Sequence, residues 1–405
     1  MSATAFAQKG ELSNAQDNFT KYEKFKMLGS NAVGLSLKAA KESIDKASAN
    51  DKTATLTQTY ALKGAIYAVL SVQDSVAATA APLYATAEEN LKKAKEADTK
   101  GEYKEMITMG FTNLAQYDRN QGVISYKAQK FADAYGYFEK YRVILPEDTD
   151  AMYFSGLSAA LGNKFQEAIT EYNRLLPTKY TRNAEIYYEL SNLYLNLKDT
   201  ANSVKVVAEG IAKYPANSDL RKRQIELYLR MGKQQEVINL LQSAIATDPK
   251  NKTFYYYGGF TYTQMGDMID GTQKKTKAGP DKDKMEQAKL DDYSKAGELF
   301  KKALELDPNF FEANLNMGYV TLRPGIDMYN DAQQLPSSKQ KEYDAQVAKA
   351  GNMMDAAKVY ILKAVELNPK SSDALINLKT YYMGKHDMAN ANETQKKIDA
   401  LKGQK

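Results

Sequence analysis

The chain has 405 residues, 55 basic and 50 acidic, and its formal charge of +5 is spread along the whole sequence, which leaves no concentrated basic footprint for nucleic acid. It contains no cysteine and a single histidine, His386, so disulfides, thiolate metal sites, thiol nucleophiles and any site built on two imidazoles are excluded. No apolar run approaches the ~20 residues that cross a bilayer as a helix, and no membrane insertion, nucleic-acid partner, metal or cofactor is expected.

Residues 1–8 carry Ala5-Phe6-Ala7 ahead of Gln8, the small-x-small pattern that ends a secretory signal peptide. They are read as a signal-peptide remnant, giving a periplasmic or secreted address, with a cytoplasmic one as the alternative. The lack of a cysteine after Gln8 excludes a lipoprotein anchor. Residues 9–101 show three helical stripes: Leu37, Ala40, Ile44 and Ala47; Tyr60, Gly64 and Tyr67; Leu83, Ala87, Leu91 and Ala94. The 3.6-residue period predicts helices. The segment reads as degenerate helical pairs forming an N-terminal cap, since a terminal repeat must turn a polar face to water. Residues 102–130 keep the period through Met106, Met109, Leu114, Tyr117 and Val123, as one long helix joining the cap to the remainder of the chain.

Beyond it, proline marks a repeat. Pro215 to Pro249 is one step of 34 residues and Pro146 to Pro215 is 69, almost two steps. Variants of one phrase precede these prolines: EGIAKYP, SAIATDP, KALELDP and KAVELNP. Between them, large and small residues recur at helical spacing, as in Tyr187, Leu190, Ser191 and Tyr194, then Ser203, Val207 and Gly210. Gly156, Ala168 and Tyr172 fill the same slots, as do Gly259, Ala296 and Phe300, and Gly318, Ala357 and Ile361. Short side chains are required where two helices approach to about 8–10 Å. Seven such units run from about Leu114 to the end.

A 34-residue period built from paired helices resembles the tetratricopeptide repeat family. The AFAQKGEL start and the extended last repeats are similar to exported tetratricopeptide proteins of Bacteroidetes-type bacteria. The resemblance implies an all-α, right-handed superhelical solenoid of helix-turn-helix repeats over residues 102–405, and a protein that binds other proteins without catalysis. It specifies fold strongly and function weakly. Three repeats depart from the pattern. Asp118, Arg221 and Asn314 stand where a bulky apolar residue is usual, so looser packing is expected there.

Two repeats are stretched: Pro249 to Pro308 is 59 residues and Pro308 to Pro369 is 61. Both insertions, at about 267–291 and 323–352, fall between the first and second helix of their repeat. Breakers cluster at Ala278-Gly279-Pro280 and Leu335-Pro336-Ser337, with helical sequence at Met285–Ala296 and Lys339–Met354. Ser337 and Ser338 are cap candidates for the latter. The pattern predicts two extended helical hairpins, the second kinked or broken at Pro324-Gly325.

In the resembled family the first helix of each repeat lines a concave groove. A carboxylate clamp there places Lys or Arg at the fifth position and Asn at the ninth. This chain lacks that pair: Lys222 is followed by Glu226, and Asn192 is preceded by Tyr188. The groove positions are aromatic instead, which makes Tyr153, Leu157, Tyr188, Asn192, Tyr256, Phe260 and Tyr319 the candidate partner-binding residues, since aromatics recur among interface hot spots. The competing reading is that these rings pack against neighbouring turns. Asp267, Asp270, Asp281 and Asp283 lack the spacing of a calcium loop and, with Lys274, Lys275, Lys277, Lys282 and Lys284, read as a solvated tip. His386 reads as a surface residue beside a turn. With no phosphate-cradling glycine loop, nucleophile elbow or paired catalytic carboxylates, the expected function is a non-catalytic scaffold or adaptor. It would bind a partner segment in the aromatic groove, through the projecting hairpins, or both. The alternative is a self-associating structural component of a cell-envelope assembly.

Overall fold

A computed structural model describes residues 3–27, 33–277 and 279–402, with the backbone alone described for 3–9, 27, 33 and 402. Ala5-Phe6-Ala7 therefore lies outside the described side chains. The described residues form eighteen α-helices and one 3-10 turn, without a strand. They fall into two compact units, Met1–Asp199 and Thr200–Lys405. Within each, every helix packs chiefly on its neighbours in the chain, the superhelical repeat fold in which apolar surface is buried between adjacent pairs.

The first unit holds α1 (Ala3–Met27), α2 (Val33–Ser48), α3 (Thr57–Gln73), α4 (Ala77–Ala97), α5 (Lys104–Lys127), α6 (Phe131–Ile144), α7 (Thr149–Leu161), α8 (Phe165–Leu175) and α9 (Asn183–Asn196). The stripes expected in residues 9–101 face inward: Leu37, Ala40, Ile44, Ala47, Ala87, Leu91 and Ala94 are all buried. These helices share one core with the first repeat, from Leu12 and Phe19 through Leu91 to Leu114 and Tyr117. The Leu91 side chain joins the two, since a Cβ added at Gly64 would lie 2.6 Å from its Cγ and one at Gly110 2.5 Å from its Cδ2. No break in packing separates residues 9–101 from the first repeat, and α5 is the single long helix that the period predicts.

The second unit holds α10 (Thr200–Lys213), α11 (Ser218–Arg230), α12 (Gln234–Thr247), α13 (Lys252–Gln273), α14 (Pro280–Leu306), α15 (Phe311–Ala332), α16 (Gln340–Leu367), α17 (Ser372–Gly384) and α18 (Met388–Lys402). Two devices recur in both units. The residue two places after the marker proline caps the next helix: Asp148, Asn217, Asn251 and Ser371 each accept a backbone N–H with their side chains, satisfying a donor the helix cannot. The turn after the first helix places one residue in the left-handed region, at Gln129, Asn163, Lys198, Gly232 and His386, with φ of 57–68°.

The expectation of loose packing at Asp118, Arg221 and Asn314 is not met. Asn314 is buried and its Nδ2 donates to the Pro308 and Phe310 carbonyls, both at 3.0 Å. Arg221 Nε reaches the Pro215 carbonyl at 2.9 Å, and Tyr255, in the same slot, donates its hydroxyl to the Pro249 carbonyl at 3.0 Å. The slot ties the first helix to the carbonyl at the preceding turn, so polar residues serve there. Asp118 is fully buried and accepts the Tyr84 hydroxyl at 2.9 Å.

Both extended hairpins form. α13 and α15 have 22 residues each, α14 has 27 and α16 has 28, against 13 or 14 in α11 and α12. The excess amounts to roughly 12–20 Å of projection at ~1.5 Å per residue. α14 begins at Pro280, with Gly279 at φ 148° before it. The predicted break in the second hairpin is absent: α15 runs continuously through Pro324 and Gly325, both buried. A Cβ at Gly325 would meet the Ala350 carbonyl at 3.0 Å, so glycine lets α15 lie close against α16, and that packing carries the helix past the missing proline donor. Ser337 and Ser338 form a 3-10 turn rather than a cap; α16 starts at Gln340 without a side-chain cap.

Candidate partner-binding surface

The seven residues singled out by position are all half-buried, and all lie on first helices of repeats: Tyr153 and Leu157 on α7, Tyr188 and Asn192 on α9, Tyr256 and Phe260 on α13, and Tyr319 on α15. In the first unit Tyr153 is the centre of a ring group. It stacks on Tyr180 at 5.6 Å and Tyr172 at 6.5 Å, and meets Phe154 edge-on at 5.3 Å. The Arg182 guanidinium lies 5.4 Å from its centroid, a cation–π contact. Beneath it Tyr172 fills the space left by Gly156, where a Cβ would lie 2.6 Å from the ring.

In the second unit Tyr256 stacks on Phe260 at 6.0 Å and touches Phe310 at 5.3 Å and Phe300 at 6.0 Å. Burial pushes its phenol up to about 12, with Glu312 adding to the shift. Tyr319 shares this cluster, yet its hydroxyl is engaged: it donates to Asp267 Oδ1 at 2.9 Å, beside the Tyr293 hydroxyl at 2.6 Å. Burial and that carboxylate push the Tyr319 phenol up to about 12. The structure thus brings Tyr256, Phe260 and Tyr319 into one cluster and gives Tyr153 its own. Each of these rings is half-buried and packed against neighbouring side chains, combining the packing and exposure readings.

Models of one family match the chain: the tetratricopeptide repeat, at residues 119–184 in one form and at 184–212 and 285–310 in another. The chain carries tetratricopeptide repeats. Such repeats are protein-interaction scaffolds, generally non-catalytic. Similar solved structures include a TPR repeats protein from Bacteroides fragilis, 19% identical over 72% of this chain and 99% of that one, with a TM-score of 0.30. The C-terminal part of a TPR protein from Cytophaga hutchinsonii is 16% identical over 69% and 93%, with a TM-score of 0.46. MamA from Desulfovibrio magneticus is 18% identical over 48% and 96%, with a TM-score of 0.36. No residue role follows from likenesses of this degree. No curated protein matches the chain. Among the described residues no helix is long and apolar enough to cross a membrane.

Sequence position missed one feature of the tetratricopeptide array. Asp267 and Asp270 are not part of a solvated tip: on α13, the exposed Asp267 accepts the Tyr293 and Tyr319 hydroxyls, and the half-buried Asp270 pairs with Lys289 and Arg323. Lys289 of α14, 1% exposed, reaches Glu286 at 2.9 Å, Asp327 of α15 at 3.0 Å and Asp270 at 3.5 Å. Arg323 of α15 bonds Asp270 and Asp327, each at 3.2 Å. This network ties the two hairpins together along their inner sides. The partners of Lys289 lie on three helices, and no local pattern in the lysine-rich stretch distinguishes it from its exposed neighbours Lys275, Lys277 and Lys284.

Proposed function

We propose that the protein is a non-catalytic adaptor that captures an extended or helical segment of a partner protein on the aromatic faces of its first helices. The observation that supports this most is the half-exposure of Tyr153, Tyr188, Tyr256, Phe260 and Tyr319 on those helices, with ring contacts or a hydroxyl bond holding Tyr153, Tyr256, Phe260 and Tyr319. A ring already immobilised loses little rotamer freedom on binding. The test uses the partner recovered by crosslinking from native cells. Tyr153→Ala and Phe260→Ala should each weaken its binding by about 1–3 kcal/mol with the helical content unchanged; wild-type affinity in both variants contradicts the reading.

A second reading, self-association, is favoured by an apolar patch in the second unit. Val359 is 64% exposed and Leu362 41%, and they line a shallow depression with Leu304 and Pro308. Light scattering over a concentration series tests it: an oligomer in the wild type that Val359→Asp dissolves supports self-assembly, and a monomer throughout removes it. The export proposal rests on Ala5-Phe6-Ala7. It is checked by the N-terminal residue of mature protein from fractionated native cells, expected at or near Gln8 in the periplasm or medium.

A further inference from the structure

α5 has 24 residues where α7 has 13. Its first turns therefore extend beyond the stretch that a following first helix flanks, and this leaves an open depression of about 560 Å³. Its floor is apolar: Ile107 and Phe111 from α5, and Val143, Ile144 and Leu145 from the end of α6. Val143 is 64% exposed, a β-branched side chain presented to water with no helix over it.

The rim is cationic. Lys92, Lys95 and Lys104 line it, and Lys26 and Lys104 line an adjoining depression along the same flank of α5. Lys92 is paired with Glu88 at 2.8 Å. Among the described residues Lys95, Lys104 and Lys26 have no carboxylate partner; Lys95 lies over the Phe111 ring at 5.9 Å. The nearby Asp98 carboxylate is occupied, accepting the Tyr103 backbone N–H at 2.9 Å. The start of α5 has no side-chain cap, and the partial positive charge of its first turn is met by one carboxylate, Glu105, which lines the adjoining depression. Thr108 and Thr112 are exposed between the cations and the floor.

We infer that this groove docks an acidic peptide segment of a partner protein, with a large apolar side chain seated on Phe111 and Val143 and its carboxylates on Lys95 and Lys104. The unpartnered cations over an apolar floor set the chemistry: negative charge flanking an apolar anchor. The open side sets the class, because an acyl chain lying there would stay wet, whereas a peptide backbone crossing the groove can hydrogen-bond with solvent and with the exposed threonines. The site is separate from the aromatic faces and does not depend on them.

The probe is a displayed library of random twelve-residue peptides selected on the full chain, followed by anisotropy measurements on labelled individual peptides. The expected enrichment is Asp or Glu next to Phe, Leu or Ile, with affinity falling at least tenfold in both K95E and K104E. Both sites are exposed, so folding should be unaffected, which melting of the variants verifies. Val143→Asp should weaken binding similarly, and added salt should weaken it further. The proposal is overturned if the enriched peptides are neutral or basic, if none is enriched, or if K95E and K104E bind them as wild type does. If enriched peptides ignore K95E and K104E but are lost in Tyr153→Ala, the groove assignment fails while the aromatic reading stands. Binding of laurate that depends on Lys104, with no peptide selected, overturns the peptide assignment in favour of an amphiphilic anion.

Discussion

Contacts inside a helix pair and contacts between the two long hairpins solve the same packing problem with different chemistry. In α5–α6 and α7–α8, a ring from the second helix lies on a glycine of the first: a Cβ at Gly122 would lie 2.8 Å from Phe138, and one at Gly156 2.6 Å from Tyr172. α13 and α14 repeat this at their base, with Phe300 against Gly259 and Tyr293 against Gly266. Between one hairpin and the next, contact passes to charge: Lys289 and Arg323 among Asp270, Glu286 and Asp327. Within the second hairpin the outward contact stays apolar, with Ala350 and Met354 buried against α15. Mutually paired ions tolerate partial hydration, which fits them to bind one arm to the next.

The comparison breaks first at the rings. Phe138→Ala removes a 1%-exposed ring and should cost about 3–5 kcal/mol, read by urea denaturation of the full chain. A loss under about 1 kcal/mol, the scale of a single methylene, would show that the glycine–ring contact does not hold α5 and α6 together.

Protonation sharpens the contrast, because the two regions should respond to pH with opposite signs. Burial pushes the Asp118 carboxyl up to about 7, partly offset by the Tyr84 hydroxyl and Lys140, with Glu88 adding to the rise. A folded value above the unfolded ~3.9 means the native state holds the extra proton. The associated stability is fully present below about pH 4 and is lost as pH rises to about 7, by an amount on the order of 2–4 kcal/mol. Asp118→Asn should therefore gain on the wild type with increasing pH across that window, as followed by thermal melts. Asp270 behaves in reverse. Burial raises it, but Lys274, Arg323 and Lys289 outweigh this and leave it below the usual carboxylate range. Its contribution is present above the unfolded value and is lost as acid protonates it.

A smaller effect is expected at Lys289. Lys289→Met keeps the stem but leaves three carboxylates facing one another. The cost should be about 1–3 kcal/mol, below the full value for a broken buried pair because Glu286 is about a third exposed. Faster amide exchange should be confined to the outer turns of α13–α15, with the short repeats unchanged. Smallest of all, Asn217→Ala removes the cap bond to Leu220 and should cost about 1 kcal/mol.

Much of this fold was legible because its rules are local. The marker prolines and the small–large spacing of Gly156 and Tyr172 both operate within one repeat. The hairpins were legible too, since breakers at Gly279-Pro280 and Leu335-Pro336 were flanked by helical sequence. What escaped depends on distant partners. Pro324 reads as a break until Gly325 is seen against Ala350, and Lys289 reads as one solvated lysine among several until Asp327 reaches it from α15. Asp118 and Asn314 read as defects in packing until Tyr84 and the Pro308 carbonyl supply their bonds. The left-handed turn at Gln129, Asn163 and Lys198 was hidden for another reason: the residues there are not glycine, so only their shared backbone angle reveals the slot. Among the candidate binding residues, position in the repeat found the rings but not the partners around them, such as Tyr180 and Arg182 beside Tyr153.

The most direct test of the adaptor account is amide hydrogen exchange of the full chain with and without the partner crosslinked from native cells. The account predicts added protection on the first helices that carry the open rings, α7, α9 and α13, and its loss when Tyr153 and Phe260 are replaced by alanine. Protection confined to the second helices, such as α16 around Val359 and Leu362, with the first helices unchanged, would contradict it.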